Sequence, residues 1–348
     1  MTGAQEQGGE PAGGISVPPE LTPRGPLGPA PRRRPGSVRR TSTIDMRWPA
    51  GPGTQLRLDG RVRDLRTPLG GGPPEILDFA GFAAGVEAAT RMLEWLETVP
   101  EHPGTEALIG LRGGSNSRGV LAEVMDAEAA AGAGSYLLLD DIAGATLIAG
   151  FAYSRWFSEG EVATINRPPL RPMTGVCTGF MPGSGALMPD GTGRWDRHTA
   201  PVPELDAGDD SWAWHELERI TAMSMRRARR IDVWLENETI MIDSMFQDSA
   251  TVPGGGRVAV HEYRLTGEAD PHGTVRRLDA EPRVLPYHEC PLAARGLESL
   301  IGLPLRQLRT EVLNRLPGAA GCTHLNDAAR ALAEVPALVR SLVSEAED

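Results

Sequence analysis

The sequence predicts an α+β fold, in which an antiparallel sheet carries C-terminal helices and a partly helical middle insertion. Alternating apolar patterns with turn signals occur over residues 41–66 and 231–285, which is typical of antiparallel hairpins. Beyond Pro291 the apolar residues repeat at helical spacing. The length of 348 residues fits one large domain or two modest ones, and the hydrophobic fraction of 40% is far from that of a disordered chain.

The N-terminal segment differs in composition from the rest of the chain. It is rich in Pro and Gly and contains almost no large apolar side chains. Such a segment cannot bury enough apolar surface to offset the entropy lost on ordering, so we predict a disordered tail over residues 1–38. A hairpin follows, in which Ile44, Met46 and Trp48 alternate with polar residues before the Pro/Gly turn at 49–53.

The middle of the chain, residues 70–228, is predicted to be an insertion that contains both helices and strands. Helical spacing over 79–97 and 120–131 predicts two helices. The apolar runs at 136–139 and 145–156 predict a pair of buried strands.

A long irregular connection, residues 166–210, follows these elements and is rich in Pro, Gly and Asp. Loops of this length are uncommon unless they are functional or disordered, so the pattern predicts a mobile segment or lid. A helix is predicted over 212–229. Its basic end holds four arginines within residues 226–230, which complement the helix dipole or, alternatively, bind a polyanion.

The C-terminal third predicts hairpins and then helices. Four strands are predicted, at 231–235, 239–246, 258–266 and 275–285. Short helices follow at 292–300 and 305–316, and a last helix begins after Gly321 and is kinked by Pro336.

Composition excludes several classes of function. The net charge is -11 and all 35 basic residues are arginine, so nucleic acid is not an expected partner, and mechanisms that need a lysine are excluded. We find no run of 18 apolar residues and no secretory signal, so no membrane association is expected. The cysteines, Cys177, Cys290 and Cys322, are too few and odd in number for a disulfide framework, which fits a cytoplasmic protein. The oligomeric state is not predicted.

Cysteine and histidine are concentrated near the C-terminus. Of the ten such residues, six lie between His261 and His324. One motif, Gly321–Asp327, places Cys322 where a Gly-rich loop enters a helix. The partial positive charge of a helix N-terminus favours a thiolate, so Cys322 is a candidate nucleophile. His324 and His261 are candidate bases, and a carboxyl group of Glu262 or Glu289 is a candidate acid or orienting group.

Two other interpretations of these residues remain open. His261, Cys290, Cys322 and His324 form a Cys2His2 set that suits tetrahedral zinc, although the spacing lacks a Cys-x2-Cys pair. Alternatively, the thiols pack like small hydrophobic residues and the histidines are satisfied core residues.

The C-terminal half resembles the bacterial domain of unknown function 2889. The resemblance rests on His261-Glu262-Tyr263, on 285–291, on Leu300-Ile301-Gly302-Leu303 and on Gly321-Cys322-Thr323-His324-Leu325. Residues 39–66 are similar to the opening strands of the family, so the resemblance implies an actinobacterial-type core of residues 39–66 and 230–346. It implies no reaction, but it marks His261, Cys290, Cys322 and His324 as one shared site.

Two functional hypotheses follow. The first is an enzyme of hydrolase or acyl-thioester type that acts on a small-molecule ligand, and it predicts a pocket where the Cys/His residues converge. The second is a non-catalytic binding or assembly module whose Cys/His cluster is structural or binds zinc, and it predicts no such pocket.

Overall fold

The computed structural model describes residues 15–70, 72–165 and 171–343, and these form one antiparallel sheet with helices on one face. The strand order is β4-β3-β2-β1-β6-β7-β8, and both β5 and β9 pair with the outer edge of β8. The strands are β1 Ser37–Arg47, β2 Leu56–Thr67, β3 Glu75–Val86, β4 Leu93–Val99, β5 Ala200–Val202, β6 Ser224–Glu236, β7 Thr239–Thr251, β8 Arg257–Ala269 and β9 Val275–Val284. The predicted α+β class is confirmed.

Short helices lie in the middle of the chain and at its C-terminal end. They are α1 Ser115–Val124, α2 Asp126–Ala131, α3 Gly134–Asp140, α4 Ile142–Ile148, α5 Tyr153–Trp156, α6 Glu159–Val162, α7 Leu308–Arg315, α8 Thr323–Arg330 and α9 Val335–Val343. A 3-10 helix spans Cys290–Leu300, and another, Ala331–Glu334, separates α8 from α9 where Pro336 enters. The partly helical middle and the C-terminal helices are therefore as predicted.

The helices cover one face of the sheet through two hydrophobic clusters. In the first, α7 to α9 and the Cys290–Leu300 helix pack on residues of β6 to β9, such as Phe246 and Tyr263. In the second, the helices of the middle region pack on β1 to β4 around Leu58 and Phe82. Burial of apolar area against a common sheet holds both clusters together.

Irregular chain covers the opposite face. Leu205, Trp214 and Leu217 pack on Ala228 and Met245 of the sheet, together with Leu27 and Ala30 of the N-terminal segment. The prediction of a disordered tail is therefore wrong for residues 15–38: Leu27 and Ala30 pack on this face, the peptide N–H of Leu27 donates to Glu262, and Ser37 and Val38 begin β1. Residues 1–14 lie outside the described part of the chain.

The helix predicted over 79–97 is wrong, because this stretch forms β3 and β4. Its apolar residues also alternate: Ala80, Phe82, Ala84 and Val86 are all buried. Arg91 lies in the left-handed region, with φ 64°, and turns the chain between the two strands. The apolar residues of this stretch fit both a helical and a strand spacing, and pairing of β3 with β2 selects the strand.

The strand pair predicted at 136–139 and 145–156 is also wrong, because both runs are helical. Short apolar runs do not distinguish a buried strand from a buried helix. The stretch Gly134–Trp156 is the one helical segment in the described residues with the length and mean hydropathy, 1.3, of a membrane span. It is 83% buried inside the protein, as the core helix of a globular domain would be.

The helix predicted over 212–229 is wrong as well: irregular chain leads into β6 at Ser224. The four arginines of β6 are buried, and each one pairs with a carboxylate. Their guanidinium groups are therefore occupied inside the fold, and the alternative of a polyanion site at this cluster is excluded. The hairpins predicted from 41–66 and from 231–285 are confirmed by β1–β2, β6–β7 and β8–β9.

Candidate functional site

Three polar side chains form a row across the sheet beneath α8. Arg227 on β6 is the register partner of Asp248 on β7, and Asp248 is the register partner of His261 on β8. Side chains of directly opposed residues share one face of a sheet. The β7–β8 register shifts between Asp248 and Ser249, and such a bulge beside a site redirects side chains.

Arg227 holds the carboxylate of Asp248 with two parallel hydrogen bonds. The Nε–Oδ1 distance is 2.9 Å and the Nη2–Oδ2 distance is 3.0 Å, and both side chains are fully buried. Burial by itself would lower the pKa of Arg227, but the charges of Asp248 and Asp327 outweigh burial and raise it. The arginine therefore stays charged and fixes the orientation of the carboxylate.

Arg227 also connects the row to the helices. Its Nη1 donates to Asp327 Oδ2 on α8 at 2.9 Å, and Arg118 Nη2 on α1 donates to the other oxygen at 2.7 Å. Burial would raise the pKa of Asp327, but Arg118 and Arg227 hold it well below its usual range. One ionised carboxylate thus joins the sheet to helices of both hydrophobic clusters.

His324, in the first turn of α8, completes a group of three around Asp248. Its Nε2 lies 3.6 Å from Asp248 Oδ2, and His261 Nδ1 lies 4.0 Å from the same oxygen. The two imidazoles stack with centroids 3.5 Å apart and an interplanar angle of 13°. Both distances to the carboxylate are too long for hydrogen bonds, and neither ring nitrogen has another partner within the described chain.

Both imidazoles are neutral at ordinary pH. Burial lowers the pKa of His324 to about 3, with a further contribution from the charge of Arg227. Burial also lowers the pKa of His261 well below its usual value. A neutral imidazole presents a lone pair, which is the form that binds a metal ion.

The second nitrogen of His324 faces a different set of atoms. Its Nδ1 lies 3.3 Å from Thr323 Oγ1 and 3.9 Å from Cys322 Sγ. A proton on Nδ1 that is directed at these acceptors leaves the lone pair on Nε2, toward Asp248. Thr323 and Cys322 are therefore placed to select the tautomer of His324.

The spacing of Asp248, His261 and His324 suits a metal ion. One ligand atom from each residue lies within 4.8 Å of the other two. Ligands at the usual distance from tetrahedral zinc are about 3.3 Å apart. The two rings are stacked, so binding of an ion would require the three atoms to approach one another and the imidazoles to rotate until both lone pairs face the ion. The set differs from the predicted Cys2His2 set, because Asp248 Oδ2 rather than a thiol stands beside His324 Nε2.

The three cysteines of the chain lie near one another beside this row. Cys322 precedes α8, Cys290 begins the Cys290–Leu300 helix, and Cys177 comes from the long connection. A Cβ on Gly179 would stand 2.5 Å from Cys290 Sγ and 3.9 Å from Cys177 Sγ, so only glycine fits between them.

These thiols are protonated at neutral pH. Burial raises the pKa of Cys322 to about 11, although the peptide N–H groups of Leu325 and His324 act in the opposite direction. Burial likewise raises the pKa of Cys290 well above its usual value. Desolvation therefore outweighs the helix N-terminus and disfavours the thiolate form of Cys322.

Glu262 does not reach the histidines. It follows His261 on β8, so its side chain points to the opposite face of the sheet. There its carboxylate accepts hydrogen bonds from Leu27 N at 2.5 Å and Gln247 Nε2 at 2.8 Å. Burial raises the pKa of Glu262.

Glu289 and His288 line a surface groove of about 420 Å³ that lies beside the Cys290 junction. The opposite wall comes from residues 185–198, which belong to the long connection. Thr178 ties that connection to the Cys/His motif, because its N–H donates to Gly321 O at 2.8 Å. Neither this groove nor the pockets beside Leu139 and Arg340 are lined by His261, Cys322 or His324.

Asp248 and Arg227 were not selected from the sequence. Arg227 was assigned to a helix end, and Asp248 lies two residues beyond the predicted strand 239–246. The sequence does contain a signal for Asp248. Phe246 and Ala250 lie two residues before and after it, so strand alternation predicts a buried, apolar residue at position 248, and a carboxylate there indicates a buried polar site.

The fold and the site together define an α+β protein with a buried two-histidine, one-carboxylate group. Residues 225–338 match the model of a family described as protein of unknown function (DUF2889), in agreement with the resemblance noted from the sequence. The match includes Arg227, Asp248, His261 and His324, and it begins after the hairpin of β1 and β2. No curated protein and no solved structure matches the chain.

Proposed function

We propose that this protein is a metal-dependent enzyme that acts on a small organic molecule. His261 Nδ1, His324 Nε2 and Asp248 Oδ2 would hold a divalent transition-metal ion, zinc or ferrous iron. The observation that carries the proposal is the pair of buried, unpartnered imidazole nitrogens that face one carboxylate oxygen. Unpaired buried polar atoms are costly, and a shared cation would satisfy both of them.

The donor set favours a catalytic ion. Two histidines and one carboxylate leave coordination positions open, whereas structural zinc sites are closed by four protein ligands. A bound ion would polarise a substrate oxygen or activate a water molecule. The chain's own contribution is orientation: Arg227 fixes the carboxylate, and Thr323 and Cys322 fix the tautomer of His324.

Metal binding is tested by titrating the metal-free protein with Zn²⁺, Fe²⁺ under anaerobic conditions, and Co²⁺, followed by elemental mass spectrometry. We expect about one ion per chain in the wild type and none in His261→Ala or His324→Ala. His272→Ala removes an exposed histidine in the β8–β9 turn and should bind as the wild type does. Melting curves establish that each variant is folded.

Cys322→Ala separates this site from the Cys2His2 alternative. We expect this variant to keep its metal, and wild-type protein loaded with Co²⁺ to show no thiolate charge-transfer band. Because His261 belongs to both donor sets, Cys322→Ala is the variant that discriminates, and loss of the metal in Cys322→Ala would overturn the proposal. A wild-type protein that takes up none of the three ions would overturn it too.

A second candidate function is a binding or assembly module in which the same cluster is structural. It is favoured by the closure of the site, since the side chains of His261 and His324 are only 9% and 11% exposed. Under this alternative, uptake of the ion would leave no exchangeable coordination position. Water-proton relaxation of Mn²⁺-loaded protein, measured with and without candidate substrates, would then show no accessible ion.

A further inference from the structure

The groove beside the Cys290 junction has the character of a binding site for an anion. It lies between residues 185–198 and residues 286–289, and its polar lining is Arg194, Asp196, Arg197, His198, Tyr287, His288 and Glu289. Its volume of about 420 Å³ suits a small molecule.

The groove contains arginines that no carboxylate neutralises. Elsewhere in the fold the buried arginines of β6 are paired with aspartates. Within the described residues, by contrast, neither Arg194 nor Arg197 forms an ion pair. Asp196 also lines the groove, but it makes no salt bridge with either of them.

The guanidinium groups of Arg194 and Arg197 are each held in place by a hydrogen bond from Nε. Arg197 Nε donates to Tyr287 Oη at 3.1 Å, and that hydroxyl donates to Arg194 O at 2.8 Å. Arg194 Nε donates to Gly185 O at 2.7 Å. The terminal Nη atoms of both side chains remain without a partner in the described chain, and a planar pair of N–H donors matches a carboxylate.

A third arginine adds to the positive potential at this end of the site. Arg155 and Arg197 lie on the ring of Phe151, with guanidinium carbons 5.2 Å and 5.6 Å from its centroid. Burial lowers the pKa of Arg155, and the charge of Arg197 lowers it further. Mutual repulsion of unneutralised cations is relieved when an anion binds between them.

Glu289 provides an independent indication of a ligand. Its Oε1 accepts a hydrogen bond from Gly185 N at 2.8 Å, but its buried Oε2 has no partner. A buried carboxylate oxygen needs a donor, so a ligand that carries a hydroxyl group would satisfy it. Glu289 directly precedes Cys290, one of the three cysteines beside the candidate metal site.

We propose that the groove binds a small hydroxy acid, whose carboxylate is held by Arg194 and Arg197 and whose hydroxyl group donates to Glu289 Oε2. This inference rests on the proposed metal-dependent activity, for which it names the substrate class.

The test is isothermal titration of metal-free protein with malate, succinate and inorganic phosphate. Malate and succinate differ in one hydroxyl group, so the wild type should bind malate more tightly. Arg197→Gln and, independently, Arg194→Gln should weaken malate binding at least about tenfold, as expected for the loss of a charge-assisted hydrogen bond. Arg276→Gln alters an exposed arginine of β9 that pairs with Asp270, away from the groove, and should leave binding unchanged.

Each other outcome overturns part or all of the inference. Wild-type binding in both Arg194→Gln and Arg197→Gln, or no binding of malate by the wild type, overturns the groove as a site. Equal affinity for malate and succinate overturns the role of Glu289, and phosphate binding as tight as malate binding overturns the organic-acid class. His324→Ala should still bind malate, so a failure of the metal proposal is distinguishable from a failure of this one.

Discussion

Charged side chains inside the sheet explain much of the structure at the scale of single residues. Arg227 is fully buried and has two aspartate partners, Asp248 and Asp327, on different elements. A buried charge is tolerated only when it is paired, and removal of one partner typically costs about 3–5 kcal/mol. The residues that surround the candidate metal site are therefore held by ion pairs rather than by apolar packing alone.

His215 is a second buried polar residue, on the opposite face of the sheet. Its Nδ1 and Nε2 lie 2.9 Å and 2.8 Å from the hydroxyl groups of Thr41 and Thr43. Burial lowers its pKa to about 3, and the surrounding arginines, Arg63, Arg226 and Arg61, act in the same direction. It lies within the stretch 212–229 that the sequence predicts as a helix, and in the structure it is a buried residue of irregular chain.

We predict that His215 makes the protein sensitive to acid. The unfolded chain binds a proton on this residue below about pH 6.5, whereas the folded state stays neutral down to about pH 3, so stability is lost as the pH falls through this window. At pH 5 the loss is about 2 kcal/mol. The free energy of unfolding of His215→Gln should therefore fall less steeply between pH 7 and pH 5 than that of the wild type. The exposed His272→Gln is the control, and parallel curves for His215→Gln and the wild type would contradict the prediction.

At the scale of elements, the helices of the middle region approach the sheet closely enough to touch its ion pairs. Gly144 of α4 lies directly against the network, because a Cβ there would stand 1.9 Å from Arg227 Nη1 and 2.4 Å from Asp327 Oδ2. Gly179 likewise leaves no room for a Cβ, because it lies between Cys177 and Cys290. Glycine is required at these positions by close approach and not by backbone conformation.

We predict that Gly144→Ala lowers the free energy of unfolding by at least about 3 kcal/mol, because the added methyl group displaces a buried, paired guanidinium. Gly119→Ala in α1 is the matched control. Nothing lies within 4 Å of a Cβ at that position, so it should be neutral or stabilising by up to about 1 kcal/mol. Denaturant titrations measure both changes, and equal effects of the two substitutions would show that α4 can move away from the sheet.

At the scale of the whole molecule, both faces of the sheet are covered by segments from distant parts of the sequence. The N-terminal segment lies against the face that has no helices, where Arg33 binds Asp210 through Nε and Nη2 at 2.7 Å and 3.0 Å. The side chains of this pair are 13% and 10% exposed. The pair joins two irregular segments that have little secondary structure of their own.

We predict that Arg33→Ala destabilises this cover by about 1–3 kcal/mol, because it leaves Asp210 largely buried without its partner. Limited proteolysis should then cut within residues 15–36 faster than in the wild type. Arg24→Ala removes a more exposed pair with Glu281, whose Arg24 side chain is 65% exposed, and should cost less than about 1 kcal/mol. Unchanged cleavage of Arg33→Ala would show that apolar contacts alone retain the segment.

The sequence by itself determined the hairpins, the C-terminal helices and the α+β class, because strand alternation and turn residues are local signals. It also selected His261 and His324, since histidine is rare in the chain and clusters there. Pairing of β3 with β2 makes 79–97 a pair of strands. Packing of 136–156 and of 15–36 on the sheet, against residues distant in sequence, makes the first helical and orders the second. Asp248 and Arg227 were also found only in the structure. A charged residue inside a strand predicts an exposed side chain unless its cross-strand partner is known. The strand register places Arg227, Asp248 and His261 side by side.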